Sequence, residues 1–228
     1  MWSNVLLIVV YNFPTDTVTK DMVRSLYANT FKEIFFYTDT TSDVPDVHQI
    51  SIDRGCHVQK ALDHFCRTYN DLIQDSDGVM YTMDDCYINT RLLSNFTTDK
   101  IISKYTTDSA QPYFKESFEA IDMTPGVYWY GGGDYFYLPR RYFGTNPFEK
   151  IATQYIFLHF AVPTMIHYLE PDENQYHVYE ECFLKPLVDR DQLETRLEEF
   201  LATQLVIHPL KFRISPELEN RIRNYNNA

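Results

Sequence analysis

Two adjacent carboxylates, Asp84 and Asp85, follow the apolar run Gly78 to Met83 in the segment Met80-Tyr81-Thr82-Met83-Asp84-Asp85-Cys86. Two anions side by side at the end of a buried strand repel one another, and a shared divalent cation with oxygen ligands relieves that repulsion. The plainer alternative is a turn, in which either aspartate, or Asn89 and Thr90 after it, caps the backbone. Near the other end, Leu205-Val206-Ile207-His208-Pro209-Leu210-Lys211 sets a histidine directly after a short apolar run. Neutral imidazole ligates Mn or Zn, and a lysine three residues on suits a phosphate. Taken alone, His208 reads as a structural residue; taken with the acidic pair, it reads as a ligand.

Two further groups of acids are placed for proton transfer. Glu180 and Glu181 follow Tyr176-His177-Val178-Tyr179 at the expected start of a short helix over 180–188. A carboxylate there would take a proton from a hydroxyl within hydrogen-bond reach, or would simply offset the helix dipole. Asp134 follows Gly131-Gly132-Gly133, where missing side chains let the backbone approach a ligand; a plain turn is the alternative.

Positioning these groups requires an ordered sheet. The continuous β-branched run Val5 to Val10 has the pattern of a strand buried on both faces of a parallel sheet. Apolar residues at helical spacing from Thr15 to Asn29, with Thr15 or Thr17 as cap, predict a helix; strands follow at Glu33 to Thr38 and Val47 to Ile52. Cys56 to Ile73 predicts one amphipathic helix and Gly78 to Met83 another buried strand, so the chain opens in the order βαββαβ, typical of an α/β domain. Later, the pattern predicts a helix over 149–160, a strand over 162–168 and a Glu-rich helix over 189–205. Neither an internal repeat nor a low-complexity linker divides the 228 residues, which read as one domain with a nucleotide-type first half, about 1–90, and a mixed second half, about 91–228.

Composition narrows the partners. With 20 basic and 32 acidic residues the net charge is −12, a field that repels nucleic acid and anionic lipid. Hydrophobic residues at 44% supply a full core, and 18 Tyr with 16 Phe could also line a cleft that stacks on flat or sugar-like ligands, although most such rings fill cores. The four cysteines lack CxxC spacing and point to a reducing compartment; with no signal peptide or membrane span evident, a cytoplasmic protein is expected. The turn after the first strand, Tyr11-Asn12-Phe13-Pro14, holds none of the glycines or lysine that a dinucleotide fold, a P-loop or a sugar-nucleotide pyrophosphorylase needs there.

In this order the motifs resemble those of the GT-A type nucleotide-sugar glycosyltransferases, including domains of large algal-virus glycosyltransferases. The carriers are the acidic pair Asp84-Asp85, the mid-chain acids Glu180-Glu181, the late His208, and Gly131-Gly132-Gly133-Asp134-Tyr135-Phe136-Tyr137 as an acceptor-side strand, over Val5 to about Lys211. The resemblance implies a GT-A-like (Rossmann-like) mixed, mostly parallel central sheet flanked by helices. It also implies a metal-dependent transfer of a hexose or pentose from a UDP-sugar to a hydroxyl of a carbohydrate acceptor, with an inverting course preferred to a retaining one. Asp85, Asp84 and His208 would hold Mn2+ or Mg2+, and Tyr11, Asn12, Tyr37, Asp39, Lys60, Asp84 and Lys211 would meet the nucleotide. Glu181, Glu180 or Asp134 would act as base. One departure stands out: a full DxD pattern would put its second acid where Cys86 stands, or its first where Met83 stands. A non-catalytic nucleotide- or carbohydrate-binding module on the same fold is the alternative that Cys86 suggests, and fusion to further domains in a longer chain fits either reading.

Overall fold

The computed structural model describes residues 2–12, 15–39, 41–107, 114–123, 128–179, 181–183, 190–210 and 216–227. In chain order the elements are β1 (Val5–Tyr11), α1 (Thr17–Tyr27), β2 (Glu33–Thr38), β3 (Val47–Gln49), α2 (Val58–Thr68), α3 (Asn70–Gln74), β4 (Gly78–Met83), β5 (Tyr87–Ile88) and α4 (Thr90–Leu93). There follow β6 (Tyr105–Thr107), α5 (Lys115–Glu119), β7 (Trp129–Gly131), β8 (Tyr135–Pro139), α6 (Leu158–Leu169), β9 (Glu181–Phe183), α7 (Arg190–Thr203), β10 (Val206–His208) and α8 (Pro216–Asn227).

The opening order matches the βαββαβ expectation, and the fold is mixed α/β. Five strands form the central sheet in the order β3-β2-β1-β4-β8; the first four are parallel and β8 is antiparallel to β4. All seven residues of β1 are buried because both faces of the sheet are covered. Val5, Leu7, Val9 and Tyr11 pack with α1 side chains such as Met22 and Leu26 on one face, and Leu6, Ile8 and Val10 pack with Leu62, Phe65 and α6 side chains on the other. Each of these apolar side chains contributes about 1.5–3 kcal/mol by leaving water, so period-two alternation is replaced by an unbroken apolar run. Among the described residues no helix is long and apolar enough to cross a membrane.

Several expectations change. The cap of α1 is Asp16, whose carboxylate accepts from the Thr19 amide at 2.6 Å, rather than either threonine. The helix expected over 56–73 breaks at Tyr69 into α2 and α3. The strand expected over 162–168 is helical, and belongs to α6, while the helix expected over 149–160 is a short 3-10 turn, Ile151–Thr153, followed by the first residues of α6. An apolar run buried all round has the same sequence signature in either form, and here Leu158–Leu169 is buried on nearly every side. Of the helix expected over 180–188, Glu181–Phe183 is a strand paired in parallel with β10, and residues 180 and 184–189 lie outside the described residues. The terminal helix α8 is not among the expected elements, although Leu218, Ile222 and Tyr225 recur at helical spacing and pack into the core.

Helix α6 carries β7. The Thr164 hydroxyl accepts from the Trp129 amide at 2.9 Å and donates to its carbonyl at 3.2 Å, and the His167 ring stacks between Trp129 (3.7 Å between centroids) and Tyr176 (5.0 Å). Burial lowers the His167 pKa from 6.5 to about 4, so the ring is neutral in the fold. Because the folded value is depressed, the stabilisation is complete above pH 6.5 and is lost as pH falls toward 4. Replacing the imidazole by a ring that does not titrate should remove this contribution: in urea melts, His167→Phe should lose less stability than the parent between pH 6.5 and 4. Parallel pH profiles would show instead that the imidazole takes up its proton as readily in the fold as in the unfolded chain.

Candidate functional site at the carboxyl edge of the sheet

Register brings the chemistry to one edge. Tyr11 of β1 lies beside Thr38 of β2, and Val10 beside Met83 of β4, so Asn12, Asp39 and Asp84 leave three neighbouring parallel strands at the same end. Because β8 runs the other way and pairs Tyr135 with Thr82, its preceding residue Asp134 arrives at that edge too, with its carbonyl accepting from the Met83 amide at 2.8 Å. The second sheet, β5-β10-β9, delivers His208 at the end of β10, where the Leu210 amide donates to the Asp85 carbonyl at 2.5 Å. Crevices at the carboxyl ends of parallel strands are the usual ligand sites of open α/β sheets.

Around His208 the ring nitrogens are directed at two acids. Nε2 lies 3.5 Å from Asp85 Oδ1, and Nδ1 lies 3.8 Å from Asp134 Oδ2. Asp85, Cys86 and His208 each offer a donor atom, and the three atoms lie within 4.8 Å of one another. Carboxylate oxygen, thiol sulfur and imidazole nitrogen together fit a divalent first-row transition ion; Mg2+, which prefers oxygen alone, suits the thiol poorly. Cys56, Cys66 and Cys86 form no disulfide.

Sequence reasoning missed His159. It sits in the first turn of α6, where its Nδ1 is 2.7 Å from the Gly131 carbonyl and its Nε2 is 3.4 Å from Asp134 Oδ2. The close approach of the Gly131-Gly132-Gly133 run to α6 makes this possible, since a Cβ on Gly133 would come within 2.5 Å of the Leu158 carbonyl oxygen. Burial pushes the Asp134 carboxyl up from its ordinary value and Asp85 adds in the same sense, while His159 and His208 oppose the rise.

The remaining predicted residues divide. Asp84 donates its amide to the Val10 carbonyl at 3.0 Å, and its charge adds to the burial that pushes the Tyr11 phenol well above its ordinary value. The Asn12 side-chain oxygen is buried and has no hydrogen-bond partner among the described residues. Asp39 Oδ1 accepts from the Ile52 amide at 2.6 Å and the Asp53 amide at 3.3 Å, which ties the end of β2 to the loop before α2. Lys60, in the first turn of α2, is half-buried near His57. Neither tyrosine offers a ring face for stacking. Tyr37 is fully buried, stacked on His48 with centroids 4.9 Å apart and with its hydroxyl 3.2 Å from His64 Nδ1, and Tyr11 is buried against Phe36. Both are core residues, because their strands are covered on both faces. Glu181 is placed by its backbone alone, opposite Val206 in the β9–β10 ladder, and Glu180 and Lys211 lie outside the described residues.

No family model matches the chain, and no curated protein matches it. Its fold is similar to that of a solved structure described as a glycosyltransferase involved in the glycosylation of the major capsid of PBCV-1. The two share 9% identity, 98% of each chain is covered, and the TM-score is 0.49.

The glycine at 133 makes a direct test of how the edge is assembled. Gly133→Ala forces backbone against the start of α6 and should lower stability by about 1–3 kcal/mol, read from the chemical denaturation midpoint. An unchanged midpoint would show that α6 shifts to admit a side chain there.

Proposed function

We propose that the chain is a metal-dependent glycosyltransferase that moves a hexose or pentose from a UDP-sugar to a hydroxyl of a carbohydrate acceptor, with inversion preferred. The observation that carries the reading is the meeting of Asp85, Cys86 and His208 at the carboxyl edge, beside the ends of β1 and β2. The order of the acidic pair, the mid-chain acids and the late histidine supports it independently.

In this reading Asp85, His208 and Cys86 hold the cation, Mn2+ or a related ion, and Asp84 faces the ribose or a cation-bound water. Once bound, the cation would offset the charge that develops on the leaving diphosphate. Asn12, with its unpaired acceptor, and Asp39 face the base; Lys60 and Lys211 meet the diphosphate. A carboxylate that takes the acceptor proton must have an oxygen open to it, and only about a tenth of the Asp134 side chain is exposed, with Oδ2 facing two imidazoles. The base role is therefore assigned to Glu181, with Glu180 beside it.

The decisive measurement is linkage between nucleotide and metal. The carboxylates and the diphosphate repel in a chain of net charge −12, so UDP and Mn2+ should stabilise the protein together by more than the sum of their separate effects. A ligand at 100 times its Kd adds about 2.7 kcal/mol, and each kcal/mol raises Tm by about 2–4 °C at this length. Equal shifts for UDP with and without metal would favour the binding-module reading instead.

Variants separate the roles. Asp85→Ala and His208→Ala should each reduce UDP-sugar turnover by more than about 100-fold with the fold intact by circular dichroism. Glu181→Gln should lose turnover yet bind UDP and Mn2+ as before, since the amide keeps the shape and cannot take the proton. Retained activity in Glu181→Gln would move the base to Glu180 or Asp134.

A further inference from the structure

Asp134 and His159 belong to neither the proposed cation ligands nor the proposed base, yet they are built into the same edge. Asp134 is nine-tenths buried, and its Oδ2 faces two imidazoles, His159 Nε2 at 3.4 Å and His208 Nδ1 at 3.8 Å. His159 is committed at both nitrogens: the Gly131 carbonyl 2.7 Å from Nδ1 can only accept, so Nδ1 bears hydrogen, and Nε2 and Asp134 Oδ2, 3.4 Å apart, face one another across a proton that the two share. With neither nitrogen left for a substrate, its action runs through Asp134.

We propose that Asp134 and His159 are positioning residues for His208, the carboxylate fixing the ring through Nδ1 so that Nε2 is presented beside Asp85, and His159 holding the carboxylate in place. The inference rests on the metal reading of Asp85 and His208. A neutral imidazole ligates through the nitrogen that lacks hydrogen, so a ligating Nε2 needs its hydrogen on Nδ1. At 3.8 Å Asp134 Oδ2 lies outside hydrogen-bond reach of Nδ1 and acts through its charge, which favours that tautomer and raises ligand basicity, as outer carboxylates do for metal-bound histidines. Asp134 is the acid that lies beside Nδ1. The three glycines and the Thr164–Trp129 bonds then acquire a purpose, since together they press the Gly131 carbonyl and Asp134 against the first turn of α6.

Cobalt(II) titration of the full chain tests this without relying on turnover, because the visible bands of the ion report on the ligands that hold it. Asp134→Asn keeps the size but weakens the hold on the Nδ1 hydrogen; its cobalt Kd should rise about 10–100-fold and its visible band should change, with no fall of Tm in chelator. His159→Gln should shift cobalt affinity in the same direction by a smaller factor; its side chain is a fifth exposed, so it remains informative if Asp134→Asn fails to fold. Parent-like affinity and bands in both folded variants would overturn the proposal and leave the metal reading standing. A loss of affinity explained by an equally large fall in Tm in chelator would make the pair structural and also overturn it. If the parent chain binds no cobalt even with UDP, the metal reading falls and this inference falls with it.

Discussion

Everything at the candidate site depends on one electrostatic constraint: three aspartates, Asp84, Asp85 and Asp134, are drawn to one sheet edge by strand register, and the imidazoles of His159 and His208 lie against two of them, Asp85 and Asp134. Like charges in a poorly solvated crevice destabilise the fold unless a proton or a cation is shared. Burial raises the Asp134 pKa and the Asp85 charge adds to the rise, while His159 and His208 oppose it. A bound cation beside Asp85 and His208 would relieve the constraint by a different route. A cation bound as proposed would therefore couple ligand binding to folding at this edge, and the central sheet supplies the rigidity that keeps the charges from moving apart.

The rigidity has a plain origin. Strand β1 is buried on both faces, its neighbours β2 and β4 bind it in parallel register, and β8 closes the edge in the opposite sense. An antiparallel last strand is what lets Asp134 enter from the second half of the chain and stop beside residues that leave the parallel strands. With a parallel strand in that place, the residue before it would sit at the far end of the sheet. The topology thus converts distant stretches of sequence, 84–86, 134, 159 and 208, into neighbours.

The first half of this arrangement was legible in the sequence because doubly buried strands leave unbroken apolar runs; β1, β2 and β4 lie where the residues predicted them. Asp85 and His208 were likewise legible, as a polar residue directly after such a run has few places to go. The second half was not. The run Leu158–Leu169 is apolar all round, so periodicity could not separate helix from strand, and with the helix unseen His159 carried no signal. Tyr37 misled for the opposite reason: a strand end looks exposed in sequence, whereas His48 and His64 cover the ring. The one signal that pointed toward His159 was the glycine triplet, since three missing side chains imply a close neighbour; what stands there is the start of α6.

The thiol of Cys86 alters the chemistry expected of the acidic motif. Where a second carboxylate would add charge, Cys86 adds a soft donor that must lose a proton to ligate well and that is almost wholly buried. Without the extra anion the crevice repels an incoming diphosphate less, but it also attracts a bare cation less. In the proposed site the two effects oppose one another: the nucleotide depends less on the cation, and the cation depends more on the nucleotide. A mixed oxygen, nitrogen and sulfur set also favours transition ions over the far more abundant Mg2+, which discriminates by donor type where geometry alone would not. Within the proposed site Cys86 would have a physical use, and its presence does not by itself mark the decay of one.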